Sequence, residues 1–96
     1  MLVVISTLRL WNSERGSWHF IDVPAADAGT IRAHSLANPA GFRSARVEAR
    51  IGDVSWRTSV FPQKSGGYFL PIKADVRRRA GIAAGDEVTV ELELVD

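Results

Sequence analysis

The chain contains no cysteine, and only two of its 96 residues are histidines. The absence of cysteine excludes disulfides, thiolate metal ligands and a cysteine nucleophile. His19 and His34 lie far apart in the sequence, so a zinc site is not expected either. We therefore expect neither a metal nor a cofactor.

The chain also lacks a surplus of charge of one sign. It has 12 Lys and Arg residues against 11 Asp and Glu residues, which gives a formal net charge of +1. Such a balance exerts no strong attraction on nucleic acid or on an anionic membrane surface. We expect an unknown small ligand or a protein as the partner. Nucleic acid and membrane are not expected, and formation of a homo-oligomer stays open.

A long hydrophobic run is missing as well. The apolar N-terminal segment MLVVISTLRL is about half as long as a membrane-spanning helix, and it lacks the basic region and cleavage site of a signal peptide. We therefore expect a cytoplasmic protein of bacterial type. A length of 96 residues predicts a single domain over residues 1–96.

Alternation of apolar and polar residues, with the period of a half-buried strand, is the clearest pattern that is present. In the C-terminal segment it runs through Val88, Val90, Leu92 and Leu94. Residues 44–51 and 54–61 alternate in the same way around Gly52-Asp53, a pair that suits a tight hairpin turn. β-rich composition between turn residues predicts further strands at 2–11, 17–23 and 68–72.

Two short helices interrupt these strands. Pro24 suits the first turn of a helix that we predict over residues 25–35, although Gly29 weakens it and the segment NPAGF ends it. The segment KADVRRRAG predicts a second helix that ends at Gly81. The sequence thus predicts a mainly β fold, a small six-stranded closed or pseudo-barrel of the double-split-barrel kind, in which the last strand closes the barrel.

A weak internal repeat supports this arrangement. The spacing within FIDVPA is repeated in FLPIKA, which begins 49 residues later. Each copy is followed by a short helix and then by an alternating strand. This pattern is typical of a barrel made from two β–α–β halves.

Three segments carry a resemblance to a known family: WHFIDVP, ARVEARIGDVSWRTSVFP and GYFLPIKADVRRRAGIAAGDEVTVELELVD. Together they resemble the Domain of Unknown Function 1905 family of bacterial and archaeal proteins. The matching positions are Trp18, Pro24, Thr58, Ser59, Pro62, Lys73, Arg77, Gly85, Asp86 and Val88. The resemblance implies a small β-barrel with short helices and no established activity.

A second resemblance covers the last third of the chain. The segment LPIKADVRRRAGIAAGDEVTVEL is similar to the half-barrels of AbrB-like swapped-hairpin proteins. That similarity implies an alternative function, a DNA-binding or antitoxin-like regulator.

The residues suited to ligand binding are aromatic and basic. Trp18, Trp56 and Tyr68 either line a pocket or fill the core, since aromatic side chains serve both purposes. Arg57 and Ser59 either contribute polar contacts or coat an outer face. With Lys73 and Arg77 from the family pattern, the candidate ligand-binding residues are Trp18, Trp56, Arg57, Ser59, Tyr68, Lys73 and Arg77.

Catalysis has little support. Ser59, His19 and Asp22 are the residue types of a hydrolase triad. However, His19 and Asp22 are three residues apart on a predicted strand, so their side chains point to opposite faces. The three consecutive arginines at 77–79 fan around their helix, and Asp75 can pair with Arg79. We predict no catalytic residue, and we expect a binding or interaction barrel and not an enzyme.

Overall fold

The computed structural model describes residues 1–37, 44–64 and 66–95. Over these ranges the chain forms seven strands and two helices. In chain order they are β1 (Leu2–Thr7), β2 (Arg9–Ser13), β3 (Gly16–Val23), α1 (Ala25–Ala37), β4 (Ala45–Ile51), β5 (Val54–Pro62), β6 (Tyr68–Pro71), α2 (Ala74–Ala80) and β7 (Glu87–Leu94).

The strands form one antiparallel sheet in the order β1-β7-β4-β5-β6-β3-β2. The sheet curls into a half-barrel around the hydrophobic core. The predicted mainly β fold with two short helices is confirmed. The predicted closed six-stranded barrel is wrong, because the described part of the chain contains seven strands and its sheet is not a closed barrel.

There is one strand more than predicted because the chain interrupts the predicted strand 2–11 at Leu8. The Leu8 amide donates to the Asp86 carbonyl, and the Leu8 carbonyl accepts from the Gly85 amide, each at 2.8 Å. These bonds to the loop before β7 divide the predicted strand 2–11 in two. Its first part, β1, pairs with β7, whereas its second part, β2, forms a hairpin with β3.

The last strand has the predicted faces but a different position. Val88, Val90 and Leu92 are buried, while Thr89 and Glu93 are exposed. β7 lies between β1 and β4, so it is an interior strand of the sheet. Its strict alternation follows from this position, since a register slip of one residue would turn every apolar side chain away from the core.

Both helices pack against the core of the sheet. Ala28 and Ile31 of α1 and Val76 of α2 are buried in the same core as the strand residues. α1 extends two residues beyond the predicted 25–35, and the predicted break over 38–42 lies outside the described residues. Neither helix in the described ranges has the length and apolar character needed to cross a membrane.

The arrangement of strands agrees with the internal repeat. The units β3–α1–β4 and β6–α2–β7 contain its two copies, and β3 pairs with β6 just as β4 pairs with β7. α2 ends as predicted at Gly81, which adopts a left-handed conformation (φ 69°) and donates its amide to Arg77. Glycine is favoured there because it has no Cβ.

Candidate functional site

A cleft opens where β5 and β6 separate. The two strands pair only through Phe61 with Phe69 and Pro62 with Tyr68, so the earlier part of β5 has no strand partner on that side. The resulting cleft has a volume of about 450 Å³, and it is bordered by β3, β5, the end of β6 and α2. A volume in this range suits a small ligand or one group of a larger ligand.

The apolar part of the cleft wall belongs to the core. Trp56, on the inner face of β5, is only 8% exposed, and Ile72 is buried. Pro71 and Trp18 complete the apolar surface. Packing in the core holds Trp56 and Ile72, so this part of the wall is formed before any ligand arrives.

The polar part of the wall is cationic. Lys73, Arg77 and Arg57 line the cleft, and no Asp or Glu is among its described lining residues. The Arg77 guanidinium Nη1 donates to the Ile72 carbonyl at 2.7 Å, which fixes its position at the cleft. Lys73 forms no ion pair with any residue in the described ranges. Arg57 lies at the rim, with its Nε 3.6 Å from a Glu48 carboxylate oxygen.

The pKa of His19 depends on the charge of this cleft. Its side chain is half-buried on the inner face of β3, in phase with Ile21 and Val23. Desolvation by burial and the positive charge of Arg77 together hold the pKa of His19 below its usual value. Both effects disfavour the charged imidazolium, so His19 adds a neutral polar group to the wall at pH 7.

The comparison with family models gives one result. The model of the Domain of unknown function (DUF1905) matches residues 6–92. The chain belongs to this family. The comparison with curated proteins found no match. The description of the DUF1905 family names no activity, so the function of this domain has to be inferred from the geometry of its site.

The structure brings five of the seven predicted ligand-binding residues of this DUF1905 domain to one cleft. These are Trp18, Trp56, Arg57, Lys73 and Arg77. Tyr68 is buried in the core and borders a separate cavity beside α1. Ser59 is half-buried on the outer face of β5 and does not line the cleft.

A second feature, which we call the aromatic face, covers the outer side of β2, β3, β6 and β5. It consists of Trp11, Trp18, Phe20, Phe61 and Phe69. Trp11 is 56% exposed, Trp18 44% and Phe61 39%. The Trp11 and Trp18 rings are stacked with centroids 5.2 Å apart, and the Phe61 and Phe69 rings are stacked with centroids 5.4 Å apart. Phe20 meets Phe69 edge to face, with centroids 6.0 Å apart.

A polar network holds the middle of the aromatic face. Asp22 accepts from Arg9 Nη1 at 2.7 Å and from Gln63 Nε2 at 2.8 Å, and the Arg9 guanidinium lies 5.2 Å from the centre of the Phe20 ring. Burial alone would raise the pKa of Asp22, but these hydrogen bonds and the Arg9 charge outweigh it and lower the pKa. Asp22 is therefore a paired carboxylate at neutral pH.

Sequence reasoning missed His19 as a cleft residue, and it missed most of the aromatic face. A signal for both was present in the strand 17–23. Ile21 and Val23 fix its inner face, so that alternation places His19 inside and Trp18 and Phe20 outside. Consecutive outward aromatic residues on a strand favour an exposed surface.

We expect the three tryptophans to differ in solvent access. Because Trp56 is buried while Trp11 and Trp18 are exposed, Trp56→Phe should remove the blue-shifted, poorly quenched part of the fluorescence. Iodide quenching of the wild type and the variant measures this. Stronger protection of the emission that remains in the variant would contradict the placement of Trp56.

We expect His19 to make stability depend on pH. Its folded-state pKa lies below the ordinary value of about 6.5, so near that pH the unfolded chain binds more protons than the folded one. The free energy of unfolding should therefore fall as the pH is lowered through this range. Urea unfolding at several pH values should show a smaller fall for His19→Gln. An equal fall in both proteins would contradict this, because His34 is present in each.

Proposed function

We propose that this DUF1905 domain is a binding module whose cleft takes an anionic group of its ligand. The observation that carries this proposal is the charge of the wall. Every charged side chain among the described lining residues is cationic, and they surround a preformed apolar floor. A carboxylate or phosphate entering the cleft would gain charge-assisted hydrogen bonds that the protein does not supply itself. The expected cytoplasmic location is part of the same proposal.

The pairing of the neighbouring arginines supports the assignment. Arg79 lies 3.6 Å from the carboxylate of Asp75, which is the predicted pairing, and Arg78 lies 2.8 Å from the same carboxylate. Arg77 instead donates to the backbone and lines the cleft with Lys73. Pairing on the helix surface thus leaves the positive charge concentrated at the cleft.

Calorimetric titration with pyrophosphate, a compact anion without an apolar part, tests the proposal. At about 50 mM salt, where exposed charges are weakly screened, we expect saturable binding. Lys73→Gln should weaken it about tenfold, the value of one charge-assisted hydrogen bond. Arg46→Gln, on the exposed face of β4, is the matched control and should have no effect. Absence of binding, or an equal loss in the control, would refute an anion site in the cleft.

A DNA-binding or antitoxin-like regulator is the alternative function. The outward arginines of β4 and β5 are partly neutralised, since Arg50 lies 2.8 Å from Glu91 and Arg57 lies 3.6 Å from Glu48. Duplex affinity depends on the number of phosphates that are neutralised. We therefore propose that duplex DNA is not the ligand, and we expect no binding tighter than about 10⁻⁴ M at about 50 mM salt.

A further inference from the structure

The aromatic face is a feature that the cleft does not explain. Trp11, Trp18 and Phe61 are all more than a third exposed, and the half-buried Phe20 and Phe69 connect them. Contiguous exposed apolar surface of this kind marks a binding site more often than a bare face of a monomer. Exposed aromatic rings offer π-faces on which flat ligand groups stack.

The aromatic face and the cleft form one surface. A groove of about 780 Å³ runs over Trp11, Trp18, Phe20 and Phe69. It shares Trp18, His19 and Pro71 with the cleft, and Lys64 borders its other side. Among the described residues that line the groove and the cleft, every charged side chain is cationic. A ligand that spans both needs flat apolar groups joined to anionic ones.

We propose that the aromatic face and the cleft together bind a short single-stranded nucleic acid. Its bases stack on the aromatic rings, and one of its phosphates lies in the cleft near Lys73 and Arg77. Single-strand binding modules combine aromatic side chains for successive bases with a cationic path for the backbone, and four-stranded sheets use their open face in this way. The inference rests on the proposed function for the cleft, and the aromatic face adds the class of ligand.

Arg9 extends the stacking surface at Phe20. Its guanidinium lies over Phe20, and Asp22 holds it there at 2.7 Å. Bases stack on arginine planes as well as on aromatic rings. Arg9 and Gln63 donate hydrogen bonds to the two oxygens of Asp22, so the negative charge of this carboxylate is compensated.

The net charge of +1 does not oppose this proposal. The expectation that nucleic acid is not a partner follows from the near-balanced charge and from the arginine cluster with its acidic partner Asp75, which leave few cations to neutralise the phosphates of a duplex. It stays a prediction for duplex DNA, whose bases are stacked on one another and cannot reach the rings. A single strand offers its bases, and stacking strengthens binding independently of net charge.

Fluorescence anisotropy with a labelled oligothymidylate of about eight nucleotides, within the usual size of single-strand sites, tests the inference. At about 50 mM salt we expect a Kd below about 10⁻⁵ M. Trp11→Ala should weaken binding by about fivefold to a hundredfold, the range for loss of one stacked base. Ile5→Ala, at an exposed apolar residue of β1, is the matched control and should bind as the wild type does. The same sequence as a duplex should bind no tighter than about 10⁻⁴ M.

Trp11 does not line the cleft, so this variant separates the two proposals. Trp11→Ala should bind pyrophosphate as the wild type does. If pyrophosphate binds and the single strand does not, the inference is overturned and the proposed function stands. If neither binds, both are overturned. Self-association that Trp11→Ala abolishes, without binding of the strand, would show that a second copy of the chain covers the aromatic face, and it would also overturn the inference.

Discussion

Val90→Asp is expected to lower the free energy of unfolding by at least about 3 kcal/mol, the usual effect of an uncompensated buried charge. Val90 is 1% exposed on the interior strand β7, opposite Val4 of β1. A carboxylate there would lose its hydration and find no cationic partner among core residues that are all apolar or aromatic in the described ranges. Because small domains are marginally stable, Val90→Asp should retain little of the free energy of unfolding. Equilibrium urea unfolding measures this.

Thr89→Asp is the matched control for this prediction. It introduces the same side chain one residue away, on the exposed face of the same strand. The change there should stay within about 1 kcal/mol, the span of strand propensities. Equal losses in the two variants would mean that the faces of β7 are assigned wrongly.

Gly67→Ala should lower the free energy of unfolding by about 2–3 kcal/mol, in the range of overpacked sites. Gly67 is buried in the turn between β5 and β6, and its carbonyl accepts the Gln63 amide at 2.8 Å. A Cβ atom at Gly67 would lie 2.6 Å from the Val23 carbonyl oxygen. This neighbour is backbone at the end of β3, so it cannot rotate away, and the turn or the strand must shift.

Gly29→Ala separates this steric effect from the general effect of replacing glycine. Gly29 lies within α1, and an added Cβ atom there meets nothing within 4 Å. Alanine should raise stability by up to about 1 kcal/mol through its helix propensity. Thermal melts of both variants compare their stabilities with that of the wild type. A Gly67→Ala variant as stable as the wild type would contradict the close approach of residue 67 to the Val23 carbonyl.

Most elements of the fold could be predicted from local patterns, but the division of the first strand and the open form of the sheet could not. Alternation predicted the faces of β4, β5 and β7, and Gly52-Asp53 predicted the hairpin between β4 and β5. Both predictions were possible because side-chain period and turn chemistry are properties of neighbouring residues. The division of the first strand depends on hydrogen bonds between Leu8 and the distant loop at Gly85 and Asp86. No local feature of the segment 2–11 marks such a long-range contact.

The candidate site could be predicted only in part, because it too depends on contacts between distant segments. The family pattern pointed to Lys73 and Arg77, and the alternation over residues 54–61 puts Trp56 on the same face as Val54 and Val60, which are buried. The cleft itself depends on where β5 parts from β6, which is a property of pairing between distant segments. The aromatic face also required the order of four strands, since Trp11, Phe20 and Phe61 come from separate parts of the chain.

The pKa of His19, followed by NMR with and without saturating pyrophosphate, tests the anion site most directly. Without anion, burial and the charge of Arg77 hold this pKa below its usual value. An anion in the cleft adds negative charge beside the imidazole, so the pKa of His19 should rise on binding and should rise less in Lys73→Gln. A pKa of His19 that stays unchanged while pyrophosphate is bound would place the anion elsewhere and refute an anion site in the cleft.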